Sequence, residues 1–310
     1  MKTVKFYTML YIDNENKSLS LNGITGTFDQ QMKTFIRCCE TLNKSLIFFS
    51  NLELLVLTNN KSYIENISKD LKCIEIAFDL KIPSDINFYS AHHKIDAFKY
   101  LSQNNEQNYF FLIDSDIICI NKMPLNLINC IENNIPVYYD ITEQWYPAFG
   151  RETIVKDKEV LMSKNFSTGI WAGGEFIGGD NNFFKLLFNE IEIVWENYLL
   201  NYRNIHHQGD EALISTALEN IMQTQYICNA GLYGGIGRYW SVKTLHIQNH
   251  WKSYVNNFLV HLPADKNFLA IQSTLNKDII KKYENYLIKK RISPIWLLKR
   301  IIKKIKNKNR

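Results

Sequence analysis

Two carboxylates stand where they could share one cation. Asp114-Ser115-Asp116 follows at once on the most apolar run of the chain, Tyr109-Phe-Phe-Leu-Ile113. Carboxylates at i and i+2 converge on one ion if the backbone turns as a strand ends. A hard divalent cation, Mn2+ or Mg2+, takes oxygen ligands and readily bridges a carboxylate to a pyrophosphate. A solvated acidic turn after a strand would read the same way, so the pair needs a third group. His261, closing the apolar run Phe258-Leu-Val, offers an imidazole to a cation that already has two carboxylates. Lys266 follows it and can neutralise phosphate charge.

Four further segments carry polar or glycine-rich patterns. Thr168 to Gly179 is strand-like and holds Gly173, Gly174 and Glu175, where missing side chains let another chain or a sugar approach the backbone. The same pattern also suits a strand with tight bends. Asp210 and Glu211 open a helix, where they complement its dipole; a catalytic role is compatible with that capping. Lys94 opens the helix that precedes the Asp114 strand, and Thr8 and Tyr11 lie at the end of the first strand.

These residues need a scaffold, and the hydrophobic periodicity supplies one. Strands are expected at Lys5–Ile12, Leu52–Leu57, Cys73–Phe78 and Tyr109–Ile113, with helices at Asp29–Leu46, Tyr63–Leu71 and His93–Leu101 between them. That alternation predicts an α/β fold with a mostly parallel central sheet and helices on both faces. In such sheets ligands sit beyond the carboxyl ends of the strands, which is where Asp114 and Asp116 fall. Residues 140–170, with Trp145, Tyr146 and Pro147 in a row, read as loop and short elements. Phe183–Tyr198 and Glu211–Met222 read as helices.

The 310 residues suffice for one large α/β domain with a short appendage, and 46% hydrophobic with 22% charged residues describes a folded chain. The six cysteines show no CxxC or zinc spacing and read as buried thiols in a reducing compartment. The opening Met1–Ile12 reads as a core strand, not a signal peptide, and no stretch has the length of a membrane span, so a cytoplasmic protein is expected. Residues 281–310 carry 12 Lys/Arg against one acid, Glu284, so the +5 of the whole chain hides a mildly acidic body and a strongly basic tail. Within Ile292–Ile305, Ile295, Leu298, Ile301, Ile302 and Ile305 share one helical face with basic residues opposite. That arrangement can lie on an anionic bilayer, each basic residue contributing about 1 kcal/mol. A domain at 1–270 and a basic amphipathic membrane-associating tail at 271–310 follow.

In its Asp-x-Asp and His-x4-Lys elements the chain resembles the lipooligosaccharide galactosyltransferase and glycogenin family of GT-A-fold enzymes. Its Ala172–Gly179 and Asp210-Glu211 segments are similar to the blood-group A/B transferase family. After His261 the chain reads Leu-Pro-Ala-Asp-Lys-Asn267, without the first family's usual Gly and Lys-Pro-Trp ending. The resemblance implies a GT-A fold and Asp114, Asp116 and His261 around one Mn2+ or Mg2+. It implies donor-phosphate contact by Lys266, and Asp210 or Glu211 under the anomeric carbon. Gly173, Gly174 and Glu175 would line the donor and acceptor. Thr8, Tyr11 and Lys94 would lie toward the nucleotide, with Ser115 between the two aspartates. The activity implied is transfer of a hexose or N-acetylhexosamine from a UDP-sugar, with retention. The saccharide acceptor would be lipid-linked, of lipopolysaccharide or capsule type, reached from the inner face of the plasma membrane.

Two other readings compete. A metal-dependent nucleotidyltransferase or phosphoesterase would also use Asp-x-Asp, but the glycine-rich basic loop expected after the first strand is replaced by Thr8-Met-Leu-Tyr-Ile-Asp13. A basic-tailed nucleic-acid-binding protein is opposed by the acidic body, whose aromatics do not interleave with Lys/Arg, and no nucleic acid is expected.

Overall fold

The computed structural model describes residues 2–13, 26–104, 106, 108–163, 167–272 and 275–292. The first half alternates β1 (Val4–Leu10), α1 (Phe28–Ser50), β2 (Leu54–Thr58), α2 (Lys61–Ile67), β3 (Lys72–Glu75), α3 (Lys94–Ser102) and β4 (Tyr109–Ile113). The expected rhythm is present, with strand ends moved by a few residues. All five residues of β4 are buried, as a continuous apolar run demands of a strand covered on both faces. The Phe6 and Phe111 rings stack across β1 and β4 at 4.6 Å between centroids. Each such buried ring contributes about 1.5–3 kcal/mol.

The second half adds β5 (Ile117–Cys119), α4 (Leu125–Glu132), β6 (Val137–Asp140), α5 (Thr142–Phe149), α6 (Arg151–Met162) and β7 (Ala172–Gly179). After these come α7 (Asn181–Asn201), α8 (Asp210–Met222), β8 (Cys228–Asn229), β9 (Ile236–Arg238), β10 (Leu259–His261), α9 (Lys266–Ala270) and α10 (Ile279–Ile292). Seven strands form the central sheet in the order β3-β2-β1-β4-β7-β6-β8. It is parallel except for β7, which runs antiparallel to β4 and β6. A second sheet, β5-β10-β9, sits beside it. Helices α3, α7 and α8 pack as one layer, and α1 packs with α9 and β5 as another.

Residues 140–170, read from sequence as loop and short elements, are more regular than that: α5 and α6 occupy most of the stretch. Burial of Trp145, Ile154 and Leu161 in the main core holds these helices, and Gly150 at φ 82° separates them. All six cysteines are free and buried. Among the described residues no helix is long and apolar enough to cross a membrane.

The amphipathic helix expected over 292–305 lies, beyond its first residue, outside the described residues. Helix α10, just before it, docks on the body. Ile279, Tyr283 and Leu287 are buried against Trp251 and Phe268. Buried Asp265 accepts from Tyr283 Oη at 2.6 Å, Tyr286 Oη at 3.0 Å and Lys290 Nζ at 2.7 Å.

Candidate active site

The carboxyl end of β4 delivers Asp114 to the centre of the sheet edge, and its amide donates to Glu175 O on β7 at 3.1 Å. Three residues on, β5 begins. It pairs antiparallel with β10, which sets His261 opposite Ile117, and Leu262 N donates to Asp116 O at 3.0 Å. This short ladder brings a histidine 145 residues away beside the aspartate pair.

One ligand atom each from Asp114, Asp116 and His261 lies within 4.8 Å of the others, a group able to hold a metal ion. His261 Nε2 is 3.0 Å from Asp116 Oδ1, and its Nδ1 is 3.2 Å from Glu175 Oε1. Burial opposes the imidazolium, but these two carboxylates outweigh it and raise His261 from 6.5 to about 9. Asp116 is likewise buried, yet Lys266 at 2.6 Å and His261 hold its carboxyl well below the usual range. Burial pushes the Asp114 carboxyl up, against the pull of Lys94. Two carboxylates and an imidazole are hard and borderline donors; the set fits a divalent ion, Mn2+ better than the strictly oxygen-seeking Mg2+.

Lys94 is a hub. Its ammonium donates to Asp114 Oδ1 and Asp210 Oδ2, each at 2.7 Å, and to Gly174 O at 2.8 Å. All three of its protons are therefore used. A Cβ on Gly174 would fall against the Asp210 carboxylate and 3.2 Å from Lys94 Nζ, so the absent side chain makes room for this pair. Burial opposes the Lys94 charge, but the two aspartates raise its pKa.

A cavity of about 590 Å3 opens over these groups. Of the residues singled out from sequence, Tyr11, Lys94, Asp114, Ser115, Asp116, Gly174, Asp210, Glu211, His261 and Lys266 line it. Thr8, Gly173 and Glu175 are outside that lining. Thr8 is fully buried inside β1, and its hydroxyl has no partner among the described residues. Glu175 lies beneath the cavity, fully buried, where it holds His261 and Arg238. Gly173 lies over it: a Cβ there would strike the Glu175 carboxylate.

Arg238 is the charged residue of the cavity lining that sequence reasoning missed, along with the rings of Phe149, Trp240 and His246. Buried at the end of β9, its guanidinium donates to both oxygens of Glu175, from Nε at 2.6 Å, and to Glu211 Oε1 at 2.6 Å. Trp171 Nε1 donates to the other Glu211 oxygen at 3.1 Å. Both oxygens of Glu211 are thus fixed from outside its helix, while Asp210 is fixed by Lys94. Gly234-Gly-Ile-Gly-Arg238 carried no local signal that its arginine would meet two acids far away in the chain.

No family profile and no curated protein sequence matches the chain. Among solved structures, apo mouse xyloside xylosyltransferase 1 is similar, with a TM-score of 0.50 at 10% identity. The match covers 85% of this chain and 99% of that one. The chain has the α/β fold of a GT-A-like glycosyltransferase. At this identity the likeness concerns the fold, and what the cavity does rests on its own residues.

Proposed function

We propose that this chain is a divalent-metal-dependent glycosyltransferase. In this reading it moves a hexose or N-acetylhexosamine from a UDP-sugar to a saccharide acceptor, with retention of configuration. The observation that carries the reading is the convergence of Asp114, Asp116 and His261 in a cavity that also holds Asp210 and Glu211. The solved neighbour, a xylosyltransferase by name, has the same fold.

Mn2+ or Mg2+ held by Asp114, Asp116 and His261 would supply positive charge for the departing diphosphate. The chain's own groups do the rest. Lys266 and Lys94 bring further positive charge to the same end of the cavity. Tyr11, packed against His93 at 3.9 Å between ring centroids, offers a ring to the nucleobase. Asp210 and Glu211 present carboxylates at the start of α8, where an oxocarbenium-like centre would need negative charge. Arg238 and Trp171 keep Glu211 from moving.

Lipid linkage of the acceptor, and attachment to an anionic inner membrane surface through the tail, rest on the basic and apolar residues after Ile292. A chain ending at Ile292 keeps α10 and should lose binding to phosphatidylglycerol vesicles; unchanged binding would remove the anchor. The catalytic reading is tested by Asp114→Asn and Asp116→Asn in a screen of UDP-sugars for Mn2+-dependent turnover. Both should be inactive with the fold intact. Full activity of either variant in excess EDTA would refute a metal mechanism.

A further inference from the structure

We propose that the cavity has a second end, formed by Trp145, Phe149, Trp240 and His246, that binds an uncharged pyranose. The inference rests on the glycosyltransferase reading, because it assigns that reading's acceptor.

The sheet separates the two ends. Along its carboxyl edge, Tyr11 follows β1, Asp114 follows β4, Gly174 lies in the neighbouring β7, and α5 follows β6. Three strand spacings of about 4.8 Å therefore put the β1 and β6 positions roughly 14 Å apart. Tyr11 and Trp145 both line the cavity, with Asp114 and the Asp210-Glu211 pair among the residues lining it too. A nucleotide at the Tyr11 end leaves the Trp145 end to another ligand.

The chemistry of that end suits a sugar. Trp145 is itself buried, stacked 4.8 Å from His246 and 5.3 Å from Trp171 between ring centroids, so it backs the His246 ring, which lines the cavity with the half-buried Phe149 and Trp240. The C–H face of a pyranose packs on such rings while its hydroxyls seek polar partners. Two are at hand. Trp240 Nε1 and His246 Nε2 belong to rings that line the cavity, and both lack a hydrogen-bond partner among the described residues. Buried polar atoms are almost always paired, and small rotations of these rings would offer both nitrogens to a hydroxylated ligand.

Charge sets the class of sugar. Arg238 is the cation at this end, and Glu175 and Glu211 occupy it. Lys94 and Lys266 are bound to aspartates of the metal group. A uronate or sugar phosphate would face Glu211 with no uncommitted lysine or arginine among the described residues lining the cavity to receive it, so an uncharged ring is selected.

Saturation-transfer NMR on the full chain with Mn2+ and UDP tests this. The probes are the methyl glycosides of glucose, galactose and N-acetylglucosamine, with glucuronate and glucose 6-phosphate as charged counterparts. At least one neutral glycoside should bind, strongest at its ring C–H protons, and the charged sugars should not. Trp240→Ala should weaken that binding about ten-fold or more, and Trp240→Phe should restore part of it. UDP binding, read separately by calorimetry, reports whether the donor end is intact. UDP binding without any neutral glycoside bound, tighter binding of a charged sugar, or wild-type glycoside affinity in Trp240→Ala would each overturn the proposal. Absence of UDP binding to the wild type would overturn it together with the glycosyltransferase reading.

Discussion

Glu175→Gln should weaken Mn2+ binding without unfolding the chain. Glu175 is fully buried and does not itself line the cavity, yet it accepts from His261 Nδ1 at 3.2 Å while His261 Nε2 faces Asp116. It therefore fixes which imidazole nitrogen is offered to a cation. Loss of such an outer partner typically lowers metal affinity about 10–100-fold, or about 1.4–2.7 kcal/mol. The same substitution removes one anionic partner of Arg238, but Glu211 still accepts from that guanidinium at 2.6 Å. The stability loss should therefore fall at or below the low end of the roughly 3–5 kcal/mol seen when a buried pair is broken. The assay is electron paramagnetic resonance of free Mn2+ during titration, alongside urea unfolding. A cooperatively folded variant that binds Mn2+ as tightly as the wild type would show that Glu175 does not orient a metal ligand.

Other expectations concern buried charge and titration. Lys158 is fully buried, ion-paired with Glu219 and donating to Ile170 O at 2.6 Å. Lys158→Met should lower stability by about 3–5 kcal/mol because Glu219 keeps a buried charge; an unchanged urea midpoint would contradict this. Burial lowers His92 from 6.5 to about 4, with Nδ1 at 3.1 Å from Phe88 O and Nε2 at 2.7 Å from Tyr198 Oη. The unfolded chain then binds the extra proton first. This contribution is whole above about pH 6.5 and is lost progressively toward pH 4, up to about 3 kcal/mol. His92→Gln should flatten the fall in urea midpoint between these pH values, and identical slopes for the two proteins would refute the assignment.

The parts of the site visible in the sequence were those announced by a strand end. Asp114 and Asp116 stand out because five apolar residues precede them, and His261 because it closes a short apolar strand. Asp210 and Glu211 were visible as a helix start. What stayed hidden depends on contacts between distant segments. Arg238 sits in a glycine-rich run, and its place beside the cavity is defined by Glu175 and Glu211, far away in the chain. Thr8 shows the converse error: its place near the end of β1 suggested the site, but its side chain lies inside the sheet's packing, whereas Tyr11, beyond the strand, reaches the cavity. Helices α5 and α6 escaped notice because Pro147 and weak periodicity mask segments that tertiary burial holds helical.

Calorimetric titration of the full chain with UDP, with and without Mn2+, confronts the account most directly. The account predicts saturable UDP binding that requires Mn2+ and disappears in Asp114→Asn. Binding of equal strength in EDTA, unaffected by that substitution, would mean that Asp114, Asp116 and His261 do not hold a cation for a diphosphate.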